Sequence, residues 1–154
     1  MTVAIVPYRP DHAAAWRSLN EHWIRAGGYA IEAKDDLVLG DPEGAILSKG
    51  GAIFIAEVDG AAVGCCSLMR MADGGYEVGK MAVDAAAHGQ GLGRRLLDAC
   101  EAHAQAAGAP RLYLETNSAQ THAIALYEAF GFRHLPPQPT PYARANVFME
   151  KALD

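Results

Sequence analysis

The segment Val83–Arg95 (VDAAAHGQGLGRR) has the clearest chemical potential in the chain. A predicted strand ends there in a glycine-rich turn, which leads directly into a predicted helix. Three glycines within residues 89–93 let the backbone approach a ligand closely, since glycine has no Cβ. Free N–H groups at a helix start, together with the helix dipole, attract anions, and Arg94 and Arg95 add positive charge. The segment therefore predicts a phosphate or pyrophosphate site.

Two well-known phosphate-binding motifs do not match this segment. A dinucleotide fingerprint needs Gly-x-Gly-x-x-Gly early in a doubly wound sheet, whereas the spacing here is Gly89-x-Gly91-x-Gly93, late in the chain. A P-loop needs Gly-Lys followed by Ser or Thr, and this loop has neither. The alternative is a tight turn whose glycines serve only to reverse the chain.

Hydrophobic patterns surround this segment with strands and helices. Strands are predicted at Val3–Tyr8, Ala52–Val58, Ala61–Met71, Tyr76–Val83, Arg111–Thr116 and Asn146–Ala152. Apolar residues at helical spacing predict four helices, over residues 11–26, 33–39, 92–107 and 123–130. Asp11 is the expected N-cap of the first helix, residues 40–44 are an expected turn, and Asp59-Gly60 is an expected hairpin turn. These elements predict an α/β (α+β) fold around one mixed sheet.

Composition limits the classes of protein that the chain can represent. Its 154 residues are 51% hydrophobic and 20% charged, which predicts one domain over residues 1–154 and excludes a disordered chain. The net charge of −5 argues against nucleic acid or an anionic membrane as a partner, and no apolar run is long enough to span a bilayer. The three cysteines lack disulfide or metal-ligand spacing, and Cys100 stands apart in sequence from the other two. We therefore expect reduced thiols, no metal and a cytoplasmic location.

Three segments resemble the GNAT superfamily of acetyl-CoA-dependent N-acetyltransferases: EVGKMAV (77–83), HGQGLG (88–93) and ALYEAFGF (125–132). The family's loop signature is Gln/Arg-x-x-Gly-x-Gly/Ala, and His88 stands here in the first place. The resemblance implies a mixed, mostly antiparallel sheet flanked by helices. Two parallel strands, here 76–83 and 111–117, would splay apart within it.

The resemblance also implies a site for acetyl-CoA. Its pantetheine arm would lie in the gap between the splayed strands, and its pyrophosphate would lie on the loop. Gly79, inside a strand, fits the bulge that directs backbone toward the thioester. The implied cofactor-binding residues are Met81, Ala82, Val83, His88, Gly89, Gln90, Gly91, Leu92, Gly93, Arg94, Asn117 and Tyr127.

The implied reaction is direct transfer to an amine within a ternary complex. A backbone N–H near Met81 or Ala82 would stabilise the oxyanion, and Tyr127 would protonate the departing sulfur. The alternative for Tyr127 is a buried core residue. Glu77 is the first candidate for the general base and Glu115 the second, although some relatives have no essential base.

Two residues near these candidates have competing interpretations, and a third departs from the family pattern. Glu77 is alternatively a solvated strand residue or a partner of Lys80. Asn117 either caps the following helix or contacts the cofactor, and Gln120 stands where relatives often have an asparagine.

The acceptor is expected in a pocket formed by Trp23, Tyr29, Tyr142 and Arg144. Aromatic side chains there would cover an apolar amine, and Arg144 would hold a carboxylate. The alternative places Trp23 in the core and Arg144 on the surface. The expected acceptor is a primary amine of a small molecule, amino acid or peptide. A non-catalytic acyl-CoA-binding regulatory module of the same fold is the competing hypothesis, and a homodimer is an expectation from the family alone.

Overall fold

The computed structural model describes residues 1–154. It contains seven strands: Val3–Pro7 (β1), Ala52–Val58 (β2), Ala61–Arg70 (β3), Tyr76–Val83 (β4), Arg111–Thr116 (β5), Arg133–Leu135 (β6) and Val147–Ala152 (β7). They form one sheet in the order β1-β2-β3-β4-β5-β7-β6. All neighbours are antiparallel except β4 and β5, which are parallel. The predicted mixed, mostly antiparallel sheet is therefore confirmed.

Five α-helices flank the sheet. They are Ala13–Ala26 (α1), Ala33–Gly40 (α2), Pro42–Ala45 (α3), Leu92–Ala106 (α4) and Thr121–Phe130 (α5). Short 3-10 turns lie at residues 10–12, 47–49 and 85–87. No helix combines the length and the apolar character needed to cross a membrane.

Local interactions explain where the elements differ from the predictions. Asp11 lies inside a 3-10 turn instead of capping α1, and the buried His12 accepts the backbone N–H of Arg9 there. The expected turn over residues 40–44 contains α3, because the Asp41 carboxylate accepts the N–H of Gly44 and caps it. Strand β6 was not predicted, since three residues are too few to show an alternating pattern.

The parallel strands β4 and β5 splay apart after a short paired stretch. Their register runs from Tyr76–Leu112 to Val78–Leu114 and stops there, while β4 continues to Val83. Beyond Val78 the edge of β4 that faces β5 has no strand partner. The predicted gap between the two strands is therefore present.

A β-bulge in β4 accompanies this splay. Cys65 pairs with Ala82, but Ser67 pairs with Gly79, so β4 carries one extra residue between them. The residue with left-handed backbone is Lys80 (φ 49°), not Gly79. The bulge thus lies directly after the glycine that suggested it, and a lysine bears the unusual conformation.

The sheet separates two apolar layers. On one face α4 and α5 pack over the β4 and β5 side chains of Tyr76, Val78, Leu112 and Leu114. On the other face α1 and α2 bury a smaller cluster around Trp16. Because strand side chains alternate, Glu77 and Glu115 point to the α1 and α2 face.

The three cysteines are free and buried. Cys100 does not stand apart in space, because its Sγ lies 3.6 Å from that of Cys66 across the β3–α4 contact. Separation in sequence concealed this neighbour. Both thiols lie in the layer that contains Tyr127.

Candidate active site

The loop before α4 presents a continuous row of unpartnered backbone donors. The N–H groups of residues 89–94 make no hydrogen bond within the chain. Gly89 (φ 81°) and Gly91 (φ 71°) adopt left-handed backbone, and Gly91 is the N-cap of α4. A Cβ at either glycine would meet nothing, so the conformation, and not crowding, requires glycine. This arrangement fits a bound pyrophosphate.

Gly93 serves a different purpose from the other two glycines. A Cβ there would lie 2.9 Å from Leu126 Cδ2 of α5 and 3.2 Å from Met81 Cε of β4. The missing side chain therefore lets the start of α4 approach both elements. Arg94 lies exposed beside this contact, with its guanidinium 4.8 Å from the centre of the Phe130 ring.

The side chain of His88 turns back to the chain itself. Its Nε2 lies 2.9 Å from the carbonyl oxygen of Val83 and donates to it, since a carbonyl oxygen can only accept. His88 thus ties the loop to the end of β4. It occupies the place that the family gives to Gln or Arg, but its ring bonds to Val83 and its backbone N–H donates to the carbonyl of Ala85, so His88 adds no free donor to the row that starts at Gly89.

A pocket with about 650 Å³ of empty space, including its open mouth, lies at the β4–β5 gap. It brings together the predicted acceptor and base residues. They are Trp23, Tyr29, Glu77, Glu115, Tyr142 and Arg144. These residues come from α1, the α1–α2 loop, both splayed strands and the loop before β7, so the fold assembles the pocket from distant parts of the chain.

Glu77 faces this pocket without a hydrogen-bond partner in the chain. Burial and the nearby Glu115 carboxylate raise its pKa to about 7. The expected alternative of a Glu77–Lys80 ion pair is wrong, because the Lys80 ammonium binds Asp35 instead. A carboxylate that ionises near neutral pH is suited to proton transfer.

Glu115 is held more firmly than Glu77. Its Oε2 accepts the Tyr113 hydroxyl at 2.9 Å and its Oε1 accepts the Thr140 hydroxyl at 2.6 Å. These hydroxyls stabilise the carboxylate without neutralising it. Glu77 is therefore the freer of the two base candidates.

Tyr127 lies on the opposite face of the sheet and does not line the pocket. Its ring packs edge-on against Phe132 at 5.8 Å between centroids. Burial and the thiols of Cys66 and Cys100 raise the pKa of its hydroxyl well above the usual value. The hydroxyl makes no hydrogen bond within the chain, so a protonated donor is available on the face of the sheet that α4 covers.

Sequence reasoning missed Asp35, the centre of an ionic cluster beside the pocket. This fully buried carboxylate accepts from Lys80 Nζ at 2.5 Å and from both terminal nitrogens of Arg144 at 2.7 and 2.9 Å. It also accepts the backbone N–H of Glu32. Burial alone would raise its pKa, but the hydrogen bonds from Arg144 and Lys80 hold it at about 2. The only sequence signal was its place in the first turn of α2.

Arg144 lines the pocket, but the chain itself supplies its carboxylates. In addition to Asp35, Glu32 binds the guanidinium, with its Oε2 3.2 Å from Arg144 Nη1. The guanidinium also lies 4.6 Å from the Tyr142 ring centre and 5.4 Å from that of Trp23. With both terminal nitrogens bound to Asp35, the end-on fork of Arg144 is not open to a substrate carboxylate.

Asn117 and Gln120 form the turn between β5 and α5. The Asn117 amide donates to the carbonyl of Arg144 at 2.6 Å, and its Oδ1 accepts the N–H of Ala119. Asn117 therefore fixes the turn and the Arg144 segment instead of capping α5. Gln120 is the N-cap residue, makes no side-chain cap bond and lines the pocket.

No group of three or more His, Cys, Asp or Glu side chains lies close enough together to hold a metal ion.

Comparison with known proteins identifies relatives of this architecture. The acetyltransferase (GNAT) family matches residues 12–132. An IAA acetyltransferase of Azospirillum brasilense is 41% identical over 105 residues, which are 65% of this chain and 67% of that protein.

Solved structures share the fold over nearly the full length. A GNAT-family acetyltransferase from Staphylococcus aureus Mu50 superposes with a TM-score of 0.89 at 22% identity, covering 99% of this chain and 100% of the other. The PaiA N-acetyltransferase of Thermoplasma acidophilum, solved in complex with coenzyme A, has a TM-score of 0.81 at 16% identity, with 99% and 100% coverage. The family match and the identity to a curated relative together show that this chain belongs to the GNAT family of acetyltransferases.

Proposed function

We propose that the chain transfers the acetyl group of acetyl-CoA to a primary amine by direct attack within a ternary complex. The observation that carries this proposal is the β4–β5 gap. The unpartnered N–H groups of residues 89–94 lie at the start of α4, which packs on one face of the sheet, and the Glu77 pocket opens on the other. Acetyl-CoA held in the gap would place its pyrophosphate at these N–H groups and its thioester at the Glu77 pocket.

Acetyl-CoA supplies the activated acyl group as a thioester. Backbone donors of residues 89–94 hold its pyrophosphate, and the unpaired edge of β4 offers Met81, Ala82 and Val83 to the pantetheine arm. A backbone N–H of Met81 or Ala82 donates to the thioester oxygen as negative charge develops there.

Glu77 prepares the acceptor. An alkylammonium ion must lose a proton before its nitrogen can attack a carbonyl carbon. With a pKa of about 7, Glu77 is largely ionised at slightly alkaline pH and takes that proton directly or through a water molecule. Burial, together with the like charge of Glu115, keeps this pKa high.

Tyr127 assists departure of the sulfur. Because the pKa of its hydroxyl is raised, complete proton transfer to a thiolate with a pKa of about 8.5 is uphill. Tyr127 therefore acts chiefly as a hydrogen-bond donor to the developing thiolate.

The decisive experiment measures release of free CoA from acetyl-CoA with a panel of acceptors. The panel contains alkylamines, amino acids, peptides with free N-termini and IAA, the compound in the relative's name. Turnover with a primary amine, reduced in Glu77→Gln and retained in Glu128→Gln on the exposed side of α5, supports the proposal. CoA binding without release above hydrolysis for every acceptor would contradict it and favour the binding module.

A further inference from the structure

The acceptor pocket contains or adjoins four carboxylates and two cations. Glu77 and Glu115 face the cavity, as do Lys80 and Arg144. The remaining carboxylates, Asp35 and Glu32, lie behind the cations and bind them. The formal charge of this group is therefore negative, and the way its members pair determines which charge an acceptor meets.

Both cations line the cavity, but their charged ends already bind carboxylates of the chain itself. The side chains of Lys80 and Arg144 are 7% and 10% exposed. Lys80 donates to Asp35 and to the Tyr142 hydroxyl at 3.2 Å. Arg144 uses both terminal nitrogens on Asp35. Asp35 thus takes up hydrogen bonds of Lys80 and Arg144 that the carboxylate of an anionic acceptor would otherwise receive.

Neither carboxylate toward the cavity forms an ion pair, although the charges of Lys34 and Lys80 act on Glu77 and oppose the rise in its pKa. Glu77 has no hydrogen-bond partner, and Glu115 has only two hydroxyl partners. Neighbouring carboxylates that lack a counter-ion favour binding of a positively charged group.

We propose that Asp35 sets the charge selectivity of the acceptor pocket. By holding Lys80 and Arg144, it leaves Glu77 and Glu115 as the cavity carboxylates without an ion-pair partner. The pocket then takes an amine that carries a second cationic group and rejects one that carries a carboxylate in that place. This inference rests on the proposed function of the pocket.

A matched pair of acceptors tests the proposal. Diaminopentane and aminopentanoate have the same length and the same attacking amine, and they differ only in the charge of the far end. For the wild-type chain we expect kcat/KM to favour the diamine by roughly tenfold or more, mainly through KM. In Asp35→Asn, one negative charge is lost and the Arg144 fork is released, so we expect this ratio to fall by roughly tenfold.

Two further variants separate selectivity from folding. Asp36→Asn changes the neighbouring carboxylate, which is 59% exposed and pairs with Arg17, and should leave the ratio unchanged. Glu32→Gln removes the second, 28% exposed partner of Arg144 and should shift the ratio in the same direction by a smaller factor. If Asp35→Asn fails to fold, the ratio of the two kcat/KM values in Glu32→Gln tests the proposal in its place. A merely structural role of Asp35 would lower both kcat/KM values together.

Three outcomes would overturn the inference. They are a wild-type preference for the amino acid, an unchanged ratio in folded Asp35→Asn, and an unchanged ratio in Glu32→Gln. If amines are turned over but the ratio does not move, the inference alone fails. If no amine is turned over, the proposed function fails as well.

Discussion

At the residue scale, the chemistry of the site depends on what surrounds each titratable group. Asp35 is fully buried and Glu77 is half-buried near the same pocket, yet their pKa values move in opposite directions. Burial raises the pKa of both carboxylates, but Asp35 also has two cations within hydrogen-bond distance, whereas Glu77 has no ion-pair partner and its pKa is raised further by the Glu115 carboxylate. The ion pairs therefore give Asp35 a structural role, and their absence leaves Glu77 as the candidate base.

Glu77 should govern the pH dependence of the reaction. Because only its ionised form accepts a proton, kcat/KM should rise with pH through an apparent pKa near 7. Glu115→Gln removes a like charge and should lower this apparent pKa. Glu77→Gln should abolish the rise of kcat/KM with pH and reduce kcat by about 10²-fold. If kcat/KM of Glu77→Gln still rises with pH through the same pKa, the titrating group is not Glu77. The measurement is a pH profile of CoA release.

Glu77 should also affect stability in a pH-dependent way. Its pKa rises from 4.5 unfolded to about 7 folded, so the folded state binds the proton more tightly and stability falls as pH rises between these values. Glu77→Gln removes the cost of ionising this carboxyl in the folded state. The variant should therefore have a higher melting temperature near pH 8, by about 2–4 °C for each kcal/mol gained in the free energy of unfolding, and a nearly unchanged one near pH 5. Thermal unfolding at both pH values checks this. An equal effect at both would indicate packing instead of ionisation.

Tyr127 provides a separate test of the donor role. Tyr127→Phe should lower kcat by about 10²-fold while leaving the Kd for CoA nearly unchanged, because only the interaction with developing thiolate is lost. Tyr76→Phe, another buried tyrosine of the same apolar layer, is the matched control and should retain full kcat. Steady-state kinetics and calorimetry separate the two effects. Full activity in Tyr127→Phe would make Tyr127 a core residue.

At the element scale, most of the architecture could be predicted because each element carries its own pattern. The Asp59-Gly60 turn has the two positive φ values (50° and 82°) that its sequence predicts, and β2 to β5 lie within one residue of their expected limits. The pattern did not predict β6 and α3, which have only three and four residues. A neighbouring strand stabilises β6 and a cap stabilises α3, and neither leaves a periodic pattern in the sequence.

The start of α4 yields a prediction about cofactor affinity. Gln90→Glu adds a negative charge to the row of free N–H groups with almost no change in size, and should weaken CoA binding by roughly tenfold. Gln105→Glu makes the same change in the last turn of the same helix and should leave affinity unchanged. Titration calorimetry with CoA compares the two. Equal affinities in both variants would exclude this loop as the pyrophosphate site.

At the scale of the whole molecule, the site joins parts that are far apart in the chain. Asp35 and Arg144 are separated by 109 positions, and no local pattern signals their contact. The predicted acceptor residues were found because the family resemblance placed them near one another. Their pairing, including the neutralisation of Arg144 by Asp35 and Glu32, depends on how α2 and the loop before β7 meet, which the sequence pattern does not specify.

The central claim is that the β4–β5 gap connects the cofactor loop to the Glu77 pocket. A crystal structure with CoA bound tests it most directly. We predict that the pyrophosphate contacts the N–H groups of residues 89–94 and that the thiol emerges in the gap, pointing toward Glu77. A pyrophosphate bound elsewhere, or a thiol directed away from the pocket lined by Glu77 and Glu115, would contradict the account.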